Sequence, residues 1–373
     1  MMERGEEMDG KIKFGMAEAV VLLTMSNMAR IFLSFPRALL EMSGPAAWLS
    51  SITGMGLAVL QAYLFYHILK PSPGQNIVDI ANKSLGNIAG TIFNIIFASF
   101  FLAVAALFTR TFSEALIITA LPSTPISVLL TGFIMLAVLG SYIGLEAMAR
   151  SARLTYPFVL SGIALLLLGV SPKWDLQQLF PILGNGPVNV FAMGGLISGA
   201  VTEILLAAVI VKSFHGPEMF LKITSRAMLM GFTYLTVLSI VLVITHGWNT
   251  AQENTLPFYN LARLIYLGRF FQRTESIFII IWGFIGMIKV ALTLYAAAQT
   301  LAGTFRLTDY RPLLWPLALI AYAGSIIPHD MPSALRLESM LIREVAWLPT
   351  VALPLVILLV SRIRKRSGPN ESG

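Results

Sequence analysis

Apolar stretches of helix length recur about ten times along this chain, and Arg30, Arg110, Glu114, Glu203 and Lys289 lie inside them. A hydrocarbon core about 30 Å thick takes roughly 20 apolar residues per helix. A charge at the centre of such a helix costs at least about 2.5 kcal/mol on insertion scales. The five charges are therefore expected to face a polar bundle interior, and the chain reads as an all-α, multi-pass integral membrane protein.

Composition sets the limits of that reading. The chain is 56% hydrophobic and only 12% charged, against about 25% charged in soluble domains. Its 373 residues accommodate ten spans with short loops and leave no room for a soluble domain. The absence of cysteine excludes disulfides, thiolate metal sites and cysteine nucleophiles. The opening MMERGEEMDGKIKFG is polar and acidic where a signal peptide is basic and then apolar, so insertion is expected to begin at the first span.

Uncharged windows place spans near 14–42, 45–69, 87–118, 125–147, 153–170, 188–212, 225–247, 274–303, 312–328 and 344–362. Turn signals agree at Pro71-Ser72-Pro73-Gly74, Leu121-Pro122-Ser123-Thr124-Pro125 and Gly184-Asn185-Gly186-Pro187. The segment 248–273 is too polar to span and is expected to pack as short helices on the outer face. Of the 26 Lys and Arg, sixteen fall in loops and tails on the side of the N-terminus, six on the other side and four within spans. That bias predicts both termini in the cytoplasm. It also explains the net charge of +7 through topology and anionic lipid, with no nucleic-acid partner implied.

Ten spans with both ends inside divide into two five-helix halves of opposite orientation, 14–170 and 188–362, with tails at 1–13 and 363–373. In such inverted repeats the first helix of each half is broken near the midplane and its exposed backbone binds substrate. The first span carries Ser26, Asn27, Ala29 and Arg30 as a polar insertion, followed by Ser34-Phe35-Pro36. The sixth carries Gly194, Gly195, Ser198, Gly199, Thr202 and Glu203. Small residues of this kind also serve close helix packing, but their matched placement in the two halves favours breaks. Ser26, Asn27, Ala29, Arg30, Ser198, Gly199, Thr202 and Glu203 are thus the candidate ligand-binding residues.

With these elements in order, the chain resembles the permease-like B subunit of spore-germination nutrient receptors, in the amino acid–polyamine–organocation superfamily. The resemblance is carried by Phe35-Pro36-Arg37-Ala38-Leu39, Pro73-Gly74-Gln75-Asn76-Ile77, Thr109-Arg110 with Glu114, and Thr124-Pro125-Ile126. It continues through Gly144-Leu145-Glu146 with Ala149-Arg150, Leu179-Phe180-Pro181-Ile182-Leu183-Gly184, Glu203, and Arg273-Thr274-Glu275-Ser276-Ile277-Phe278 with Trp282. The resemblance implies a LeuT-like fold, a small nutrient ligand that is often an amino acid, A and C receptor subunits as partners, and residence in the spore inner membrane. One departure stands out. The family often has glycine at the break in helix 1, where this chain has Asn27, Met28, Ala29 and Arg30. Arg30 can supply a side-chain donor fork in place of exposed backbone.

The remaining charges have competing assignments. Arg110 and Glu114, four apart on one helical face, either neutralise each other or take part in gating. Glu203 has no opposite charge at helical spacing and needs a partner from another helix or a proton. Lys289 resembles a built-in replacement for the cation that helices 1 and 8 frame in LeuT-like folds, or else pairs with a nearby carboxylate. Glu18, Arg37 and Glu146 lie near the interfaces, where snorkelling suffices. His67, His215, His246 and His329 lack ligand spacing, so no metal is expected. No phosphate loop, dinucleotide turn or nucleophile elbow occurs, and neither an enzyme nor a cofactor is expected. Two functions remain, a receptor subunit that senses a nutrient by conformational change and an amino acid secondary transporter, either a proton-coupled symporter or an exchanger.

Overall fold

The computed structural model describes residues 15–33, 35–214, 216–265 and 274–367, and every regular element among them is helical. The N-terminal tail, the last residues of the C-terminal tail, His215, and the loop cations Arg4, Lys11, Lys13, Arg269 and Arg273 lie outside the described residues.

The first span consists of α1 (Met16–Met28) and α2 (Phe35–Ser43), with a turn over 29–33 between them. The second is α3 (Ala47–Leu69), followed by a short amphipathic helix, α4 (Ile77–Leu85). The third to fifth are α5 (Asn87–Thr119), α6 (Ile126–Ile143) and α7 (Leu145–Val170). The sixth opens with a π-helical segment (Val188–Met193), continues as α8 (Gly194–Gly199), is extended at Ala200 and Val201, and resumes as α9 (Thr202–Val209). The seventh is α10 (Pro217–His246), after which α11 (Trp248–Glu253) and α12 (Pro257–Arg263) lead to the eighth, α13 (Thr274–Thr304). The ninth is α14 (Leu314–Ile326). The tenth runs from α15 (Met331–Met340) through π-helical turns at Leu341–Val345 and Leu348–Ala352 into α16 (Leu353–Ser367).

Eight of these helical stretches are long and apolar enough to cross a membrane, and one of the eight, Phe35–Leu69, contains both α2 and α3. Counted with α1 and α14, they make ten spans. The first and sixth are interrupted, as the two-half organisation predicts.

Some boundaries differ from expectation for local physical reasons. The fourth and fifth spans meet at one residue, Gly144, whose φ of 111° turns the chain where a side chain would be strained. The charged residues there open α7 instead of forming a loop, with Glu146 paired to Arg150 and Arg153 reaching Glu18 of α1. The tenth span begins at Met331, not near 344, because Asp330 and Ser333 form a reciprocal capping box. A similar box between Asn76 and Asp79 starts α4, and the Asn76 amide also donates to the Val209 carbonyl at 3.2 Å, holding α4 to the end of α9.

Packing sorts the spans into two groups. The third and fourth (α5, α6) pack with the eighth and ninth (α13, α14). The first and second (α1 to α3) pack with the sixth and seventh (α8, α10). The two broken spans belong to the same group, and the second group flanks them through α13, which contacts both α1 and α9.

Candidate functional site

Glu203 is the second residue of α9, immediately past the extended pair Ala200–Val201, and is 2% exposed. A carboxylate in the first turn of a helix is favoured by the unpaired amides and the dipole there. Its partners come from two other spans. Lys289 Nζ on α13 lies 2.5 Å from Glu203 Oε1, and the two side chains are 4% and 3% exposed. Ser26 Oγ on α1 donates to Oε1 at 2.9 Å, and Asn27 Nδ2 donates to Oε2 at 3.5 Å. The ammonium of Lys289 also lies 5.1 Å from the centroid of the Phe108 ring on α5. Glu203 thus has the inter-helix partner its isolation in the sequence demanded, and it joins the first, sixth and eighth spans at one point.

Arg30 occupies the turn that interrupts the first span and is buried. Its guanidinium lies 4.5 Å from the centroid of the Phe35 ring and 5.0 Å from that of Phe232 on α10. Nη1 donates to the Ser198 carbonyl at 3.4 Å, at the end of α8. Nε and Nη2 are buried without a hydrogen-bond partner. A buried unpaired donor costs about 1–3 kcal/mol, and more when charged. Arg30 also lies within electrostatic range of Glu203, so two cations face one carboxylate at the junction of the broken spans. The arrangement suits one further negative charge carried by a small molecule.

The break in the sixth span is held by a residue that the sequence analysis did not single out. Gln61 of α3 accepts from the Val201 N–H at 3.1 Å and donates to the Val201 carbonyl at 3.1 Å, and its amide also reaches the Thr350 carbonyl at 3.1 Å in the tenth span. One side chain thereby satisfies both backbone groups of Val201, which lipid could not do. Its signal was a lone amide in the apolar run of α3.

The glycines ahead of the break have the packing role weighed against a ligand role. A Cβ at Gly194 would meet Ser50 Oγ at 2.2 Å, one at Gly195 would meet Thr53 Cγ2 at 2.7 Å, and one at Gly199 would meet Leu57 Cβ at 2.7 Å. Their Cα faces therefore abut α3, and Gly199 contributes close approach of α8 to that helix. Ser198 turns its hydroxyl the same way, donating to Gly194 O at 2.9 Å, while its carbonyl faces Arg30. Ala29 is buried in the turn, and Thr202 is buried as the first residue of α9.

Arg110 and Glu114 stand apart from this cluster. They pair at 2.6 Å on α5, and Arg110 Nη1 reaches the Ser325 carbonyl at 3.5 Å, tying α5 to α14. Glu338 on α15 is a further carboxylate missed in the sequence. It is 2% exposed, but it sits between Arg336 and Arg343 in a stretch whose charge density read as loop. No group of His, Asp and Glu among the described residues is arranged to hold a metal.

Comparisons with known proteins agree with this architecture. The model of a family described as spore germination protein matches residues 13–333. Spore germination protein YndE of Bacillus subtilis (strain 168) is 25% identical over 371 residues, covering 95% of this chain and 98% of YndE. Spore germination protein A2 of the same organism is 25% identical, covering 95% and 97%. Spore germination protein KB is 22% identical, covering 83% of each chain. Among solved structures, the nucleobase-cation-symport-1 family transporter MHP1, in a closed conformation with bromovinylhydantoin bound, superposes with a TM-score of 0.66 at 15% identity. That match covers 92% of this chain and 76% of MHP1. The fold is the LeuT-like one, and the protein is a multi-pass membrane protein of permease type and not an enzyme.

Proposed function

This chain belongs to the spore germination protein family, and on that premise we propose that it is the membrane subunit of a germinant receptor that binds a small nutrient carrying a carboxylate, an amino acid above all. The observation that carries the proposal is Arg30, a buried guanidinium at the break in the first span with Nε and Nη2 unpartnered. A planar donor fork of this kind matches a carboxylate in bidentate geometry. The ligand sits between the 29–33 turn and the end of α8, with Phe35 and Phe232 beside the charge and the Ser26, Asn27 and Glu203 cluster behind it.

Signalling follows from where the cluster lies. Glu203 belongs to the group of spans that contains both breaks, and Lys289 belongs to the other group. A ligand anion that occupies Arg30 alters the field at Glu203 and so the strength of the tie between the groups. Their relative position then passes to A and C subunits bound in the spore inner membrane. In this account both termini face the cytoplasm, and 14–170 and 188–362 are the repeat units. Arg110 and Glu114 belong to the frame against which the broken spans move.

A second reading rests on the fold shared with MHP1, in which the same motion would carry the nutrient across as an amino acid symporter or exchanger. Fold alone does not decide between sensing and transport. The test is purified protein in sealed liposomes with radiolabelled amino acids. A receptor subunit retains label at no more than one equivalent per chain, whereas a transporter accumulates it in the lumen. Recovery of A and C subunits with this chain from detergent-solubilised spores is the companion test.

A further inference from the structure

A basin of about 780 Å³ lies apart from the cluster around Glu203, within the range of about 300–1,000 Å³ common for ligand pockets. Its walls are α2, the last turn of α5, Thr255 between α11 and α12, and the tenth span from Met331 to Glu344. The first and third spans end at the basin and the tenth starts there, so the alternation of the chain puts all three walls on one side of the membrane. Along the chain the basin is close to Arg30. Phe35, whose ring lies 4.5 Å from the Arg30 guanidinium, opens α2, and Ala38, three residues on, lines the basin. The guanidinium and the basin therefore both border the first turn of α2, which rises about 5.4 Å.

The charges in the lining do not cancel. Arg37 is paired with Glu41 at 2.7 Å. Arg343 is half-buried and reaches the Ser339 hydroxyl at 3.4 Å, which is a long contact for a guanidinium. Arg336 is exposed and has no hydrogen bond or ion pair with any described residue. Against these two guanidiniums the lining holds one further carboxylate, the exposed Glu344, which forms no ion pair either. Beside the cations the lining is apolar, with Ala38, Leu335 and Met340. An occupant that satisfies both features carries one negative charge on a small apolar body.

We propose that the basin is a second, low-affinity binding site for a small carboxylate, which it holds at Arg336 and Arg343 before the molecule passes α2 to Arg30. The proposal rests on the reading of Arg30 as the receptor of a nutrient carboxylate and adds a place of first capture. Cations at the mouth of a cleft raise the local concentration of an anion and its rate of arrival. Both cations border solvent, so each contact with the carboxylate is weak and screened by salt. Weak holding suits a site that must pass its occupant on.

The test reads the basin with Arg30 taken away. L-Leucine labelled with carbon-13 at the carboxyl is titrated into the full-length Arg30→Gln protein in nanodiscs of neutral lipid at low salt, with L-leucinamide as the control. Leucine is the probe because its side chain matches the apolar part of the lining. Binding is expected from the change in the carboxyl resonance. Adding Arg336→Gln and Arg343→Gln together weakens it at least about fivefold, adding Glu344→Gln instead tightens it, and salt weakens it. Nanodiscs containing phosphatidylglycerol still bind leucine. If Arg30→Gln fails to assemble, the protein with Arg30 intact shows two binding events, of which the weaker alone responds to Arg336→Gln with Arg343→Gln. Failure of Arg30→Gln to bind leucine, equal binding of leucine and leucinamide, or indifference to the paired arginine substitutions overturns the proposal. Loss of leucine binding in phosphatidylglycerol also overturns it and gives the basin to a lipid headgroup. None of these results decides the role of Arg30, which is read separately from acid and amide binding with Arg30 in place.

Discussion

Lys289 Nζ lies 2.5 Å from Glu203 Oε1, and this buried pair links the two groups of spans. Removing one member of a buried pair leaves an uncompensated charge at a cost of about 3–5 kcal/mol, whereas removing both often costs little. Lys289→Met and Glu203→Gln are each expected to destabilise the protein by about that amount, less whatever protonation recovers in the lysine variant. The double variant should be more stable than Lys289→Met alone. Thermal unfolding of the four proteins in nanodiscs forms the cycle, and additive losses would show that the two side chains do not depend on each other.

The same geometry bears on sodium. The ammonium of Lys289 reaches Glu203, which accepts from Ser26 and Asn27 of the first span, so the first and eighth spans are joined through a fixed side-chain cation and a carboxylate. Nutrient binding by the purified protein is therefore expected to be the same in sodium and in choline buffers of equal ionic strength. Strict sodium dependence would mean that a mobile cation is still required.

Gln61 supplies a separate prediction about the break. Gln61→Leu keeps the approximate volume but leaves the Val201 N–H and carbonyl without the partners they have at 3.1 Å. Each lost partner costs about 1–3 kcal/mol, so a clear drop in unfolding temperature is expected. Hydrogen exchange at Ala200 and Val201 should rise at the same time. Unchanged exchange there would show that the unwound segment is held by something else.

Topology is tested by reporters. One inserted in the 171–187 loop should read outside, and one placed after Arg364 should read cytoplasmic, as the distribution of Lys and Arg requires. A cytoplasmic signal from the loop would contradict the opposed orientation of the two halves.

Much of this architecture was legible in the sequence because lipid imposes a simple rule on apolar runs. The spans coincide with apolar runs, and the breaks after Met28 and at Ala200 and Val201 coincide with departures from uniform apolar helix. Charge density misled at the ends of spans. Glu146, Arg150 and Arg153 read as a loop yet open α7, and Arg336 to Glu344 read as outside the membrane yet belong to the tenth span. Pairing between distant spans left no trace in local spacing. Glu203 announced that it lacked a partner, but only the packing of α13 against α9 identifies Lys289. Gln61 shows in the sequence as a lone amide, but nothing in its spacing identifies the backbone of Val201 as its partner, and Glu338 is hidden among the charges that read as a loop. Gly199 shows the reverse, since its place beside the break suggested ligand contact while its Cα faces Leu57.

The claim that matters most is that Arg30 receives the carboxylate of a small nutrient. The direct measurement is calorimetric titration of the purified protein with the amino acid that most raises its unfolding temperature in a screen of the common amino acids, alongside the corresponding amino acid amide. The two ligands differ in the carboxylate alone. The acid is expected to bind, the amide to bind at least about tenfold more weakly, as follows from loss of a charged hydrogen bond worth about 1.5–3 kcal/mol, and Arg30→Gln to abolish the difference between them. Equal binding of acid and amide by the wild type, or undiminished preference for the acid in Arg30→Gln, would contradict it.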